Sequence, residues 1–296
     1  MELIFLGTTA AVPSSGRNHV SLALRYRDEI ILWDCGEGTQ RQMIRSKLSY
    51  MRVIRIFITH FHGDHFLGLP GLIQTLSFAN RQRPLQIFGP PGIKEVVGSL
   101  LDLGNFDLGF EVTTRDFSKN FELKTEHYKI TPIEVEHSIP TYGLVFEELK
   151  GREFLIEKAL ELGLEPGPAY SRLQEGEHVT IGGRDISPED VLGEQKQGAK
   201  IVYSSDTRPC ENVIKNCEGA ILIHDSTFDE TLREKAIESM HSTCVDACHV
   251  AREGKAKQLF LIHISPRYKE DDILYEQARD IFERVVVAED LMTIEI

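Results

Sequence analysis

Three histidines and one aspartate lie within six residues, in the segment His60-Phe61-His62-Gly63-Asp64-His65. The segment follows an apolar run at residues 53–58 that predicts a buried strand. His and Asp are normally solvated, or paired when buried, so the cluster indicates a metal loop; the alternative is a histidine-rich surface turn. Because residues two apart in an extended segment point to the same side, His60 and His62 can bind one ion. Imidazole with carboxylate suits zinc, and iron, manganese or cobalt are alternatives.

Three more candidate ligands directly follow predicted strands elsewhere in the chain: His137, Asp206 and His263. Each comes at the end of a short apolar run, which repeats the arrangement seen at His60. We expect these strand ends to converge and to complete a metal centre with the loop at 60–65. Seven candidate ligands are too many for one tetrahedral ion but enough for two ions that share a bridging carboxylate.

We expect the seven residues to divide between two metal ions. The first ion takes three imidazoles, from His60, His62 and His137. The second ion takes Asp64, His65 and His263, and Asp206 bridges the pair. Two ions about 4 Å apart activate a shared water and stabilise both the attacking and the leaving oxygen of an in-line displacement. The sequence therefore predicts a hydrolase, and phosphodiester hydrolysis uses every part of this machinery.

Other polar residues near the predicted centre have two interpretations each. Asp34 ends the predicted strand 29–33, so it is either a turn former or a carboxylate that orients a metal-binding imidazole from behind. Arg41 and Arg45 share one face of a helix that is expected to begin at Thr39. They form either a solvated face or a pair of phosphate contacts near the cleft.

Composition limits the class of protein. The chain has 296 residues, 41% hydrophobic and 27% charged, which is ordinary for a globular protein. No apolar stretch approaches the length needed to span a bilayer, and the N-terminus is predicted to be a first strand, not a signal peptide. The net charge of -13 argues against non-specific nucleic-acid binding, although a local basic patch remains compatible with it. Five cysteines without a paired framework favour a reducing, cytoplasmic setting, and Cys244 and Cys248 are interpreted as buried small residues.

The pattern of short strands and helices is interrupted once. Between residues 147 and 200, seven Lys or Arg stand against twelve Asp or Glu, and Gly-Pro punctuation follows an amphipathic stretch. We interpret 147–200 as an inserted arm in a single catalytic domain made of residues 1–146 and 201–296. Outside the arm, alternating strands and helices predict a mixed α/β fold.

The loop at 60–65 resembles the His-x-His-x-Asp-His hallmark of the metallo-β-lactamase superfamily. Four more segments resemble the ribonuclease Z family of tRNA 3′-processing endonucleases within it. They are Phe5-Leu6-Gly7-Thr8 with Pro13-Ser14, the segment Asp34–Gln40, Ser205-Asp206-Thr207-Arg208, and His241-Ser242-Thr243. The superfamily resemblance implies a four-layered αββα sandwich with the metals at one edge of the paired sheets.

The family resemblance also implies an activity and its residues. The expected reaction is cleavage of precursor tRNA on the 3′ side of the discriminator base, by two Zn²⁺ ions per subunit, leaving a 3′-hydroxyl. Asp64 would then serve as general base besides its ligand role, and His241 would donate a proton to the leaving oxygen or stabilise its charge.

The resemblance further implies a homodimer in which the 147–200 arm of one subunit presents tRNA to the active site of the other. The arm is acidic, which departs from what phosphate binding needs. A basic stripe would still form if the acids faced away, from Arg152, Lys158, Arg172, Lys196 and Lys200.

Two other functions compete with the endonuclease. One is another hydrolase of the superfamily, acting on a small phosphodiester, a lactone or a sulfate ester. The other is a non-enzymatic metal-binding or RNA-binding module. The arm distinguishes the first from an endonuclease, since a small ester needs no distant grip.

Overall fold

The computed structural model describes residues 1–103, 106–194, 197–270 and 272–296. The strands in those ranges are β1 (Glu2–Gly7), β2 (Ser21–Tyr26), β3 (Glu29–Trp33), β4 (Val53–Phe57), β5 (Leu85–Gly89), β6 (Val112–Asp116), β7 (Leu123–Lys124), β8 (Tyr128–Val135), β9 (Thr141–Leu149), β10 (Val179–Ile181), β11 (Arg184–Ile186), β12 (Gln197–Tyr203), β13 (Ile221–Asp225), β14 (Gln258–Ile262), β15 (Val285–Val287) and β16 (Thr293–Glu295).

The helices of the same ranges are mostly short. They are α1 (Thr39–Arg45), α2 (Gly63–Phe66), α3 (Leu69–Phe78), α4 (Ile93–Leu101), α5 (Ile156–Glu161), α6 (Pro168–Gln174), α7 (Pro188–Val191), α8 (Glu211–Asn216), α9 (Arg233–Ser239), α10 (Cys244–Glu253) and α11 (Asp272–Arg279). Of the helices described, none combines the length and the apolar character that crossing a bilayer requires.

Two large mixed sheets form the body of the fold. Within the described residues each has seven strands, in the orders β16-β1-β2-β3-β4-β5-β6 and β15-β14-β13-β12-β9-β8-β7. Aromatic contacts join the two sheets: Phe5 of β1 lies 5.3 Å from Phe260 of β14, and the Trp33 ring of β3 stacks on Tyr203 of β12 at 6.1 Å. Among the described residues, the body therefore has one core between the sheets and two others outside them.

The other two cores lie on the outer faces of the sheets, under helices. Alternate residues of β1 and β3, such as Ile4 and Leu32, pack with residues of α3 and α4. Leu259 and Leu261 of β14 pack with residues of α8, α10 and α11. Because both faces of these strands are covered, their sequences are continuous apolar runs without alternation. The four-layered αββα sandwich expected from the sequence is confirmed.

Two local interpretations are also resolved. Cys244 and Cys248 lie on α10 and are fully buried in the outer core under that helix. Burial raises the pKa of both thiols to about 12. They are buried small residues, as expected. The helix after Gly38 begins at Thr39, and its Arg45 donates to Gln42 at 2.8 Å.

A second compact unit comprises Lys124–Lys129 and Glu147–Ala199. It holds α5, α6, α7 and the hairpin β10–β11, and it has a small core of its own that includes Leu164, Leu173 and Ile186. Two cations of the expected basic stripe are engaged within the unit. Arg152 lies 3.2 Å from Glu189, and Arg172 lies 2.7 Å from Glu177. Lys196 lies outside the described residues.

Arg81 anchors the strand that carries the histidine loop. It is 1% exposed, and its guanidinium donates to the carbonyls of Met51, Val53, Arg83 and Pro84 at 2.6–3.0 Å. Two of these carbonyls lie at the entry to β4. A buried guanidinium whose three nitrogens each donate to carbonyls fixes the backbone there, because removing it would leave several buried acceptors unpaired.

We expect Arg81→Met to lower the free energy of unfolding by about 3 kcal/mol, since the methionine keeps the packing volume but supplies no donor. The matched control is Arg83→Met, whose side chain is 53% exposed and should change stability by less than about 0.5 kcal/mol. Chemical denaturation of both variants measures the difference. Equal stability of the two variants would contradict an anchoring role.

Candidate metal centre

The seven residues predicted as metal ligands come together in the structure. A first cluster contains His60, His62, His137 and Asp206, and a second cluster contains Asp64, His65 and His263. Within each cluster the candidate ligand atoms lie within 4.8 Å of one another. His241 joins Asp206 and His263 in a third grouping, so the histidine predicted as a proton donor lies at the same centre.

Parallel strands explain the convergence. The strands β3 and β4 are parallel neighbours in one sheet, and β12, β13 and β14 are parallel neighbours in the other. Their carboxyl ends therefore lie at one edge of each sheet, which is where ligand sites form in sheets of this kind. His60 follows β4, Asp206 follows β12 and His263 follows β14. The short helix α2 then turns Asp64 and His65 back toward the same point.

The first cluster has the spacing of ligands around a small cation. His62 Nδ1 lies 3.1 Å from His60 Nε2 and 3.3 Å from His137 Nε2. Donor atoms around a tetrahedral zinc ion lie about 3.3 Å from each other, given zinc–nitrogen bonds of about 2.0 Å. The three imidazoles therefore direct nitrogen lone pairs at one point.

The second cluster lies beside the first and shares Asp206 with it. Asp64 Oδ2 lies 3.5 Å from His263 Nε2 and 3.7 Å from His65 Nε2. Asp206 Oδ1 lies 3.3 Å from His65 Nε2, while its Oδ2 lies 3.5 Å from His60 Nε2 and 3.2 Å from His263 Nε2. One carboxylate therefore faces both clusters, which is the arrangement of a bridging ligand.

Buried polar atoms at the centre fit a pair of cations. His65 Nε2, His263 Nε2 and Asp206 Oδ1 are buried and find no hydrogen-bond partner among the described residues. Leaving such atoms unpaired costs about 1–3 kcal/mol each. A cation between them would satisfy all three, and nitrogen with carboxylate oxygen is a donor set that divalent transition metals accept.

Asp34 fixes the orientation of the imidazoles from behind. It accepts hydrogen bonds from His65 Nδ1 at 2.8 Å, from the Thr59 backbone N–H at 2.8 Å and from the Tyr203 hydroxyl at 2.9 Å. Of the two interpretations of Asp34, the orienting role is therefore confirmed. Because His65 Nδ1 donates its proton to Asp34, the lone pair of Nε2 points into the centre.

The same carboxylate fixes His60 through a hydroxyl. Thr59 Oγ1 lies 3.0 Å from both oxygens of Asp34 and 3.0 Å from His60 Nδ1, and it accepts from Ser205 Oγ at 2.8 Å. A hydroxyl has one proton, and we assign it to Asp34 because a carboxylate only accepts. His60 Nδ1 must then be the donor to Thr59, which leaves the His60 Nε2 lone pair facing the cluster.

Asp225 is a second carboxylate of this kind, and no role was predicted for it. It ends β13 and accepts from Thr207 N–H at 3.0 Å, Thr227 Oγ1 at 2.7 Å and His241 Nδ1 at 2.6 Å. Thr227 Oγ1 also lies 2.8 Å from His263 Nδ1, so Asp225 orients two histidines. The signal that could have identified it is the one that pointed to Asp34, a carboxylate at the end of an apolar strand.

The charges of the centre are set by burial and by neighbours. Burial lowers the pKa of His60, His62 and His137, which favours their neutral form. Burial alone would also lower the pKa of His241, but the Asp225 carboxylate raises it to about 9. Burial opposes ionisation of Asp206, yet His263 and His65 hold its pKa well below the usual range. Against the effect of burial, Asp206 and Asp34 raise the pKa of His65, so a cation in the second cluster would displace a proton from this ring. Neutral imidazoles and ionised carboxylates are the forms that bind metals.

Of the ten non-glycine residues with positive φ in the described part of the chain, half lie at the centre. Five non-glycine residues there have a left-handed backbone, with φ between 52° and 62°: Ala11, Asp34, Ser205, Met240 and His263. Ala11 uses this conformation to donate its N–H to Asp64 Oδ2 at 2.8 Å. Each such residue costs about 1–2 kcal/mol, and strain of this kind collects where a site must be held in one geometry.

An open cleft of about 490 Å³ leads to the centre, lined by residues that include Asp64, Asp206, His241 and His263. His19 also lines it and was not predicted, since it follows no strand. Arg41 instead lines a separate pocket beside Leu67.

A family model described as "Anti-Pycsar protein Apyc1" matches residues 1–156 of the chain. That range includes the loop at 60–65 and His137 but not Asp206, His241 or His263. The structure is similar to that of human tRNase Z, short form, with a TM-score of 0.73 at 28% identity, covering 100% of this chain and 99% of that one. It is also similar in fold to YhfI of Bacillus subtilis, with a TM-score of 0.72 at 16% identity over 99% of this chain and 98% of that chain.

Curated relatives match the chain from end to end. The ribonuclease Z of Methanothermobacter thermautotrophicus is 49% identical over 297 residues, which cover 100% of this chain and 97% of the relative. The ribonuclease Z of Methanosarcina acetivorans is 43% identical over 300 residues, covering 100% of this chain and 98% of the relative. These alignments span both clusters, His241 and the second compact unit, and the chain therefore belongs to the ribonuclease Z family.

Proposed function

We propose that this protein is a metal-dependent endoribonuclease that removes the 3′ trailer from precursor tRNA by phosphodiester hydrolysis. The observation that carries the proposal is the full-length identity to curated ribonuclease Z proteins, joined to a His and Asp centre suited to metal ions. The cut falls on the 3′ side of the discriminator base and leaves a 3′-hydroxyl on the tRNA.

Two zinc ions per subunit are the cofactors that we propose, with manganese, iron or cobalt as possible replacements. His60, His62 and His137 would hold one ion, Asp64, His65 and His263 would hold the other, and Asp206 would lie between them as a shared ligand. When bound, such a pair activates water and neutralises charge on the phosphate. The interatomic distances within the two clusters and the buried unpaired atoms support this allocation.

Asp64 is proposed as the general base. Burial opposes its ionisation, but His263 and His65 hold its pKa far below the usual range. Its Oδ2 accepts from the Ala11 N–H at 2.8 Å and faces His263. The low pKa keeps the carboxylate ionised but makes it a weak base, so the assignment rests on position. Because Oδ2 is engaged by Ala11, which keeps the carboxylate from rotating, we assign uptake of the proton from the attacking water to Oδ1.

His241 is proposed as the proton donor to the leaving 3′ oxygen. Its Nδ1–H donates to Asp225 Oδ2 at 2.6 Å, and its ring lies 5.0 Å from the His263 ring, nearly parallel to it. The side chain is 14% exposed on the wall of the cleft. With its pKa raised to about 9, the ring is protonated near neutral pH and its Nε2–H can be transferred to the oxygen.

The assembly proposed is a cytoplasmic homodimer in which the 147–200 arm of one subunit holds tRNA for the other. Free cysteines support a reducing compartment. The arm has a core of its own, which supports a separate binding element. Pairing of Arg152 and Arg172 with acids of the arm indicates that its grip on phosphate is modest.

A 3′-extended tRNA precursor tests the activity directly. We expect one cut after the discriminator base, with a 3′-hydroxyl on the tRNA and a 5′-phosphate on the trailer. A chelator should abolish the cut and added zinc should restore it. Mapping both ends by primer extension and ligation measures the outcome. Cleavage that continues after the metals are stripped, or a 2′,3′-cyclic phosphate product, would reject the proposed chemistry.

Replacing His241 with glutamine should slow cleavage by about 100- to 10,000-fold while the metal content stays the same. In the wild type, the Asp225 carboxylate raises the pKa of the donor, so the ring is protonated near neutral pH and kcat should fall at high pH, where the proton is lost. That high-pH limb should be missing in His241→Gln. His249→Gln is the control, because this histidine contacts Arg252 on α10. Full activity in His241→Gln would exclude the donor role.

Deleting residues 150–198 tests the arm. Leu149 and Ala199 can be joined by a short Gly-Ser linker, because the Ala199 N–H lies 3.1 Å from Glu148 Oε2. We expect the deletion to abolish tRNA cleavage and to spare hydrolysis of a small chromogenic phosphodiester, which needs no distant grip. An equal loss with both substrates would show that the arm is not a tRNA-binding element.

A further inference from the structure

The helix α9 ends in a motif that normally requires glycine. Met240 N–H donates to the Ile237 carbonyl at 3.2 Å, and His241 N–H donates to the Ala236 carbonyl at 2.9 Å. These two bonds, three and five residues back, define a Schellman motif, whose left-handed residue is usually glycine or asparagine. Here that residue is Met240, with φ of 58°. In this conformation a methionine has as much backbone strain as other non-glycine residues, so the surroundings must enforce it.

The left-handed turn directs the Met240 carbonyl to a predicted metal ligand. His137 Nδ1 lies 3.1 Å from this oxygen, and a carbonyl only accepts, so Nδ1 carries the proton. His137 Nε2 is thereby left with its lone pair toward His62 Nδ1, at 3.3 Å. A neutral imidazole has one proton, and the carbonyl, which only accepts, decides that Nδ1 holds it.

The same turn sets the position of the next residue. The His241 N–H is held by the Ala236 carbonyl, and its ring meets Asp225 on one side while lying 4.9 Å from the His137 ring on the other. A change at Met240 would therefore disturb two histidines of the centre, one in the first cluster and one on the wall of the cleft.

We propose that the left-handed backbone of Met240 is a positioning device. Its carbonyl selects the tautomer of His137, and the turn that it makes fixes where the His241 ring lies relative to the His137 ring. The proposal rests on the proposed function for the roles of these two histidines. It assigns the effect to the backbone of Met240 and not to its side chain. Met240 is thus a positioning residue, acting through His137 and His241.

The test compares a residue that fits the left-handed region with one that does not. Met240→Gly keeps the turn without strain, whereas Met240→Val places a β-branched residue where φ is positive, which is strongly disfavoured. The chain supplies a matched control in Lys255, which ends α10 in the same motif. Its φ is 54°, and the N–H groups of Lys255 and Ala256 donate to Arg252 and Ala251 at 3.2 and 2.8 Å.

Lys255→Val carries the same strain at the far end of α10, a helix about 15 Å long. Three quantities are measured for each variant: the melting temperature, the zinc dissociation constants, and the imidazole tautomers from two-bond ¹H–¹⁵N correlations of the metal-free protein. We expect both valine variants to have a lower melting temperature than the wild type. Only Met240→Val should weaken zinc binding, by about 10- to 100-fold at one site, and lose the Nδ1–H tautomer of His137.

Met240→Gly should keep the Nδ1–H tautomer and the wild-type zinc affinity, which tests the proposal even if Met240→Val fails to fold. A tenfold loss of zinc affinity in Met240→Gly would overturn it, since the side chain would then be responsible. So would a Met240→Val that keeps the tautomer and binds zinc as Lys255→Val does. If no variant, wild type included, cleaves precursor tRNA, the proposed function fails, while the tautomer measurement still decides the role of Met240.

Discussion

The hydrogen bonds from imidazole Nδ1 atoms to fixed acceptors are the interactions on which the rest of the centre depends. Asp34 accepts a hydrogen bond from His65 Nδ1, and Thr59, which donates its hydroxyl to Asp34, accepts one from His60 Nδ1. Asp225 receives that of His241 and is linked through Thr227 to His263, and the Met240 carbonyl faces His137. Because Nδ1 of each of these rings has a fixed partner, its Nε2 is directed toward the centre. The two carboxylates are tied to backbone N–H groups, so the rings cannot easily turn.

The sandwich supplies the rigidity that this arrangement needs. Both sheets are covered on both faces, and the Trp33 and Tyr203 rings between them are stacked within 1° of parallel. Tyr203 also donates its hydroxyl to Asp34, which joins the inner core directly to the metal-facing histidines. Left-handed residues such as Ser205 and His263 are tolerated because their neighbours on the strands are fully packed.

The sequence could predict the ligands because four of them directly follow apolar strands and the other three share one loop with His60. Parallel neighbours bring the strand ends at His60, Asp206 and His263 to one edge of each sheet. The αββα layers, by contrast, were expected from the resemblance of short motifs. The roles of Asp225 and Met240 were not predicted, for different reasons. Asp225 has the same setting as Asp34 but stands between His224 and Ser226, and its partner His241 is 16 residues away. The role of Met240 depends on one backbone dihedral angle and a contact with a residue 103 positions earlier. No residue type signals that.

Anomalous diffraction from crystals of the zinc-loaded protein, with data collected on both sides of the zinc absorption edge, would locate the ions. We expect two peaks per chain, about 3.5–4 Å apart. One peak should be bounded by His60 Nε2, His62 Nδ1 and His137 Nε2, the other by Asp64, His65 and His263, with Asp206 between them. A single peak, or peaks away from these nitrogen atoms in fully zinc-loaded protein, would contradict this expectation.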